Sequence, residues 1–274
     1  MLKTLKYIFA TILVIGLVMT SAFFTLLLYL KITDQEFLIG SNPDDMRQSV
    51  AILTENKDDY NESDNVDQKK EKLESAFIDA PVVLQLPELY NGCEIATLTM
   101  MFNFYGIDKS KMDLLPELKQ DPTPIEYNKD GSIRYWGNPN LGFVGDITGK
   151  KKGYGIYHTA LFELLIKYIP TGIDFTGKDF DELEQQVSDG FPVLVWTTVS
   201  YTKPSEKQWM VWDSPLGPIR TTFQEHTVLL VGYDNDHVFI NDPRKNQKGI
   251  KVDKKQFIES WEALGKQALS YRVD

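Results

Sequence analysis

The sequence holds one cysteine and three histidines in 274 residues. A lone cysteine excludes any disulfide within the chain, and in an exported protein it marks either an intermolecular bridge or a free thiol worth attention. With histidines only at positions 158, 226 and 237, no ligand pair has metal-site spacing, so no metal and no other cofactor is expected. Basic charge is scarce as well: 29 Lys and Arg stand against 39 Asp and Glu, a formal net charge of −10. Phosphate recognition needs a dense Lys/Arg footprint, so nucleic acid is excluded as a partner.

One segment lacks charge altogether. Residues 7–30, YIFATILVIGLVMTSAFFTLLLYL, are 24 consecutive uncharged positions, and about 20 apolar residues suffice to cross a hydrocarbon core as a helix. Residues 1–6 carry Lys3 and Lys6 and are assigned to the cytoplasm, which puts everything after Lys31 outside the cell. The expectation is a single-pass signal anchor in the cell membrane. Its competitor is a signal peptide cleaved near Thr20, Ser21 and Ala22, which would yield a secreted protein. With no cysteine nearby, a thioether lipid anchor is excluded. From Lys31 to Glu74 the chain has twelve acidic and six basic residues and little apolar periodicity. Such a composition buries too little apolar surface to offset chain entropy, and residues 31–76 are expected to be a mostly disordered acidic stalk.

Residues 77–274 carry the globular pattern. APVVLQL, residues 80–86, is expected as a short strand ended by Pro87. Asn91 and Glu94 have capping-box spacing, and Ile95, Leu98, Phe102 and Tyr105 follow at helical intervals up to the stop at Gly106. Cys93 therefore falls in the first turn of a helix. Residues 119–155 are rich in Gly, Pro, Asn and aromatics and are expected as an irregular, functional loop. Two more helices are expected at IYHTALFELLIKY and KDFDELEQQVSDG, then a core strand at FPVLVWTTVSY. HTVLLVGY and HVFIND, residues 226–233 and 237–242, form a hairpin across Asp234, Asn235 and Asp236, and KKQFIESWEALGKQAL closes the chain as a helix. The fold class is α+β, with helices early and strands late.

Cys93 is either a structural thiol or a nucleophile. Helix N-terminal N–H groups and a neighbouring imidazolium lower a thiol pKa, so the nucleophile requires a base. If the hairpin turn centres on Asn235, opposed residues sum to 470, Asp242 faces Val228, and the carboxylate lies diagonal to His226 on the same face. A turn one residue longer or shorter reverses that parity. The order Cys93, His226, Asp242, with 133 positions between the first two, fits nucleophile, general base and orienting acid in a papain-like arrangement. Gln85, eight residues before Cys93, is a candidate side-chain donor to an oxyanion, the Cys93 N–H being the other. Trp136, Gly137, Phe143 and Gly145 line a substrate groove or else form a lid held by its own aromatics; Trp209 and Trp212 carry the same two alternatives, and His158 and His237 are taken as structural.

The blocks LQLPELYNGCEIATLTMMFNFYG, YWGNPNLGFVG, GYGIY, GFPVLVWTTV and EHTVLLVGYDNDHVFINDP resemble the stand-alone, exported branch of papain-like peptidases related to the bacteriocin-processing, double-glycine leader peptidases. The likeness spans about residues 81–271. It implies a papain-like fold and a thiol peptidase acting on a peptide or protein, with Cys93 as nucleophile, His226 as base and acid, Asp242 as orienter and Gln85 in the oxyanion hole. No transporter or ATP-binding region accompanies these motifs here. Two rivals use the same fold: a non-catalytic module binding peptide or cell-wall fragments, and an amidase or acyltransferase acting on peptidoglycan peptides.

Overall fold

The computed structural model describes residues 71–273. The expected anchor at 7–30 and the stalk up to residue 70 lie outside the described residues, and among the described ones no helix is long and apolar enough to cross a membrane. The first described residues are held in place rather than forming the end of a stalk. Lys72 pairs with Asp181 and, at 2.7 Å, with Glu184, while the Leu73 N–H donates to Ser188 Oγ and the Tyr233 hydroxyl to the Leu73 carbonyl, both within 2.9 Å. Backbone groups satisfied this way explain order that composition alone does not predict.

Strand β1, Ala76–Phe77, pairs with a later long strand. APVVLQL joins no sheet, which corrects the expected strand. Pro81 withholds a donor, and other polar groups of the segment are claimed from elsewhere: the Ala80 carbonyl accepts from Asn241, the Leu84 carbonyl from Lys111, and the Gln85 N–H donates to the Pro243 carbonyl at 2.8 Å. Helix α1 is Cys93–Tyr105, closed by Gly106 at φ 101° in the left-handed conformation. Ile95, Leu98, Met100, Met101 and Phe102 are all fully buried, so the helix is apolar around most of its circumference. At roughly 1.5–3 kcal/mol per buried large apolar side chain, it is a principal source of stability. A short helix α2, Lys111–Leu114, follows, with Ser110 and Asp113 in a reciprocal capping box.

The expected irregular loop contains short strands: β2 Gln120–Asp121, β3 Glu126–Tyr127, β4 Ile133–Tyr135 and β5 Phe143–Val144. Next come α3 His158–Tyr168, β6 Gly172–Asp174, α4 Phe180–Ser188 and β7 Val193–Thr198. Strands β8 Met210–Ser214 and β9 Gly217–Thr221 join β3 and β4 in a four-stranded sheet. The long strand β10, Glu225–Tyr233, and its hairpin partner β11, His237–Asn241, precede β12 Ile250–Asp253, helix α5 Lys254–Ala263 and β13 Ala268–Tyr271. The closing segment is therefore helix then strand, because Gly265, at φ 85°, turns the chain back onto the sheet. The main sheet runs β12-β11-β10-β7-β13-β6 with β1 added on β10, every pair antiparallel. Helix α1 packs on β10 and β7, which brings its N-terminus to the start of β10. The α+β class stands.

Candidate active site

Cys93 opens α1 behind Gly92, and its position there depends on that glycine. A Cβ on Gly92 would stand 2.5 Å from the Leu89 Cβ, and Leu89 is fully buried and cannot yield. No side chain caps the helix, in contrast to the expected Asn91 cap. Asn91 Nδ2 instead donates to the Asp146 carbonyl at 2.7 Å, and Glu94 turns into the interior rather than back to the cap.

His226 is the second residue of β10, and Asp242 is the residue after β11. Near the turn, Tyr233 faces Val238 and Gly232 faces Phe239, a register sum of 471. An irregularity between Leu230 and Gly232 changes it, so Leu230 faces Ile240 and Leu229 faces Asn241, a sum of 470. Continued one step, that register sets Asp242 opposite Val228. His226 Nε2 lies 2.7 Å from Asp242 Oδ1, both residues almost fully buried. Asp242 also accepts from the Tyr201 hydroxyl and, at 2.8 Å, from the Arg244 N–H. Burial works to raise its pKa, but the hydrogen bond and charge of His226, with Tyr201 and Arg244, outweigh it and hold the carboxyl well below its ordinary range.

Gln85, Cys93 and His226 line one cavity of about 170 Å³, with Tyr90, Asn91, Tyr154, Phe223, Glu225 and Arg244 among its other walls. Gln85 Nε2 donates to the Tyr90 carbonyl at 2.6 Å and, weakly, to that of Leu89 at 3.4 Å. Its Oε1 is buried without a partner.

Trp136, Gly137, Phe143 and Gly145 do not line this cavity; Trp136 and Gly145 instead border a separate surface cavity with Asp121, Tyr127 and Lys152. Phe143 is fully buried in the main core, and Trp136 packs with Val144, Tyr154 and Trp212 in a second cluster. The Gly137 carbonyl accepts from Trp212 Nε1 at 3.0 Å. Gly145, at φ 83°, bridges to Gly153, a residue of the cavity wall. These residues stand one layer behind Tyr154 and Phe223. Trp212 is equally buried, whereas Trp209 stacks on the Arg220 guanidinium at 4.1 Å. His158 and His237 have acid partners, Asp174 at 2.6 Å and Asp234 at 3.1 Å, but neither histidine is at the cavity.

The surroundings of the thiol differ from those expected at a bare helix N-terminus. Cys93 Sγ donates to Glu94 Oε2 at 3.2 Å. Burial first, then the charges of Glu94 and Glu225, push its pKa well above the ordinary thiol value, against a single favourable N–H from Thr227. The helix-terminus effect is overridden by burial and by two carboxyls, Glu94, whose spacing is that of a cap, and Glu225, which no motif marks. Tyr201, Phe223, Glu225 and Arg244 were also not singled out, although Phe223 and Glu225 sit within three residues of His226. Arg244 likewise lies two residues after Asp242.

A family model described as the Peptidase_C39 like family matches residues 77–269. The Bacillus subtilis (strain 168) "Uncharacterized protein YvpB" is 34% identical over 213 residues, covering 76% of this chain and 81% of the relative. A Bacillus anthracis crystal structure, of a "putative C39-like peptidase", superposes with a TM-score of 0.67 at 38% identity, covering 73% of this chain and 98% of that one.

Proposed function

The chain belongs to the Peptidase_C39-like family, and on that premise we propose that it is a cysteine peptidase hydrolysing peptide bonds through Cys93, His226 and Asp242. The observation carrying this is the common cavity of Gln85, Cys93 and His226, with Asp242 held behind the imidazole. With Nε2 occupied by Asp242, Nδ1 is the ring nitrogen available to take the thiol proton. The thiolate attacks the carbonyl carbon of the substrate, and the developing oxyanion meets the Cys93 N–H, which as a first-turn donor has no intrahelical acceptor. Gln85 contributes a second donor by giving up its long contact to the Leu89 carbonyl. The imidazolium then protonates the leaving amine, and water releases the acyl-enzyme. Residues 7–30 tether the domain to the membrane with residues 77–274 outside the cell, the charge-free stretch being the support for that part.

The test is turnover of an internally quenched peptide library by the full chain, with Cys93→Ala and His226→Ala alongside. Cys93→Ala should abolish cleavage, and His226→Ala should reduce it by roughly 10³-fold or more. Mass analysis of the products separates hydrolysis from transfer to an amine acceptor. One observation favours a binding module instead, the buried neutral thiol. Peptide retained without cleavage by wild type and Cys93→Ala alike would establish that alternative.

A further inference from the structure

Glu94 and Glu225 have no part in the steps above, yet they are two of the most unusual groups in the molecule. Both are buried, and oxygens of both lie with Cys93 Sγ within 4.8 Å of one another. Neither carboxyl forms an ion pair among the described residues. The contacts around them are few: the Ile156 N–H donates to Glu94 Oε1 at 2.8 Å, and Thr227 Oγ1 reaches Glu225 Oε1 only at 3.4 Å. Gly155 fixes both from one side, since a Cβ there would stand 2.3 Å from Glu94 Oε1 and 3.1 Å from Glu225 Oε2. Two carboxylates this close and this buried, neither paired with a Lys or Arg among the described residues, cannot both stay ionised. Burial raises Glu94 to about 7, and burial with the Glu94 charge raises Glu225 well above the usual carboxylate range.

The groups facing this pair come from four directions. Helix α1 presents Cys93, and β10 presents His226 with Asp242 behind it. The segment entering α3 presents the phenols of Tyr154 and Tyr157, both raised chiefly by burial and so neutral, hydrogen-bonded to each other at 2.7 Å and to Thr221. Arg244 lies on the cavity wall as the one guanidinium there. The nearest titratable neighbour of the pair is thus the thiol itself, and it gives its hydrogen to Glu94.

We propose that Glu94 and Glu225 are positioning residues that hold Cys93 as a neutral thiol while the pair carries charge, and release it toward His226 when the pair takes up its second proton. Upon release the Cys93 S–H bond breaks and the proton passes to His226 Nδ1, with Nε2 remaining on Asp242. The entering proton resides on the carboxyl pair, which loses its opposing charge. The inference rests on the peptidase reading, and it makes the enzyme one that works best on the acid side of neutrality.

The experiment is the rate of Cys93 alkylation by iodoacetamide on the full chain from pH 5 to 8.5, in wild type, Glu94→Gln and Glu225→Gln. Peptide turnover is measured in parallel. An ordinary thiol loses about 100-fold in rate between pH 8 and pH 6 as its thiolate fraction falls. The wild type should instead hold or gain rate on acidification across that range. Glu94→Gln, which keeps the acceptor for Ile156 and leaves the thiol released at every pH, should react at least about tenfold faster at pH 8 and lose the wild type's dependence on acidification. Glu225→Gln should move the same way and serves if the first variant fails to fold. Identical profiles in wild type and either folded variant would overturn the inference. If turnover depends on Cys93 in that case, the peptidase reading stands without it; if there is no turnover at any pH, that reading fails on its own.

Discussion

Replacing Glu94 by glutamine should alter the stability of the fold in a way that depends on pH, and the size follows from the site. Glu94 is almost fully buried, and its carboxyl is raised from an ordinary value of 4.5 to about 7, mainly by burial. Between those values the folded chain holds a proton on this group that the unfolded chain has released. Stability therefore falls as pH rises through the window, and above pH 7 the full penalty is present. A shift of about 2.5 units corresponds to roughly 3 kcal/mol. Glutamine keeps an oxygen for the Ile156 N–H and carries no charge at any pH. The variant should thus match wild type near pH 4.5 and exceed it by about 3 kcal/mol at pH 8. Urea unfolding followed by tryptophan fluorescence at the two pH values provides the comparison, taken as the difference between proteins so that other titrating groups cancel. An equal offset at both pH values would refute the reasoning, because it would mean that Glu94 is not the group whose proton couples to folding.

Two further outcomes test the supports of the site. Tyr201→Phe keeps the ring beneath Lys245 but removes the hydroxyl that donates to Asp242; kcat/KM should fall about tenfold with KM little changed. Since Tyr201 helps to hold the Asp242 pKa down, losing it raises that pKa, and the acid limb of the rate profile should move to higher pH. Gly92→Ala forces a Cβ against Leu89 at the start of α1. The cost should be about 1–3 kcal/mol, seen as a lower Tm, with turnover reduced because the displaced residue is next to Cys93.

The parts of the site legible in the sequence were those set by scarcity and local order. One cysteine before a helical pattern, and one histidine at the head of a hairpin with an aspartate at its foot, leave few ways to assemble an acyl-transfer centre. What stayed hidden depended on the third dimension. Glu94 has the sequence spacing of a cap, but Gly155 and the Ile156 N–H draw it inward. APVVLQL has strand composition, but its carbonyls are taken by Asn241 and Lys111 rather than by a neighbouring strand. Trp136 and Phe143 sit in a glycine-rich stretch that reads as a groove, yet aromatic residues large enough to bind a peptide are also large enough to fill a small core, and here they fill two.

The hairpin shows how narrow the margin was for the His–Asp pair. Side chains alternate faces along a strand, so a register slip of one residue carries a side chain to the other side of the sheet. At the turn the pairs sum to 471, a register that, extended without change, would oppose Asp242 to Leu229 and place it on the face away from His226. The irregularity between Leu230 and Gly232 absorbs one residue of β10 and restores the sum of 470 before the strand reaches His226. A turn centred on Asn235 predicts the right partner for Asp242 only because the bulge offsets the actual turn. Gly232 suits that place: a Cβ there would stand 2.7 Å from the Ala76 carbonyl oxygen of β1. The contact between His226 and Asp242 thus depends on a backbone irregularity four to six residues beyond the histidine, ending at Gly232, where β1 leaves room only for glycine.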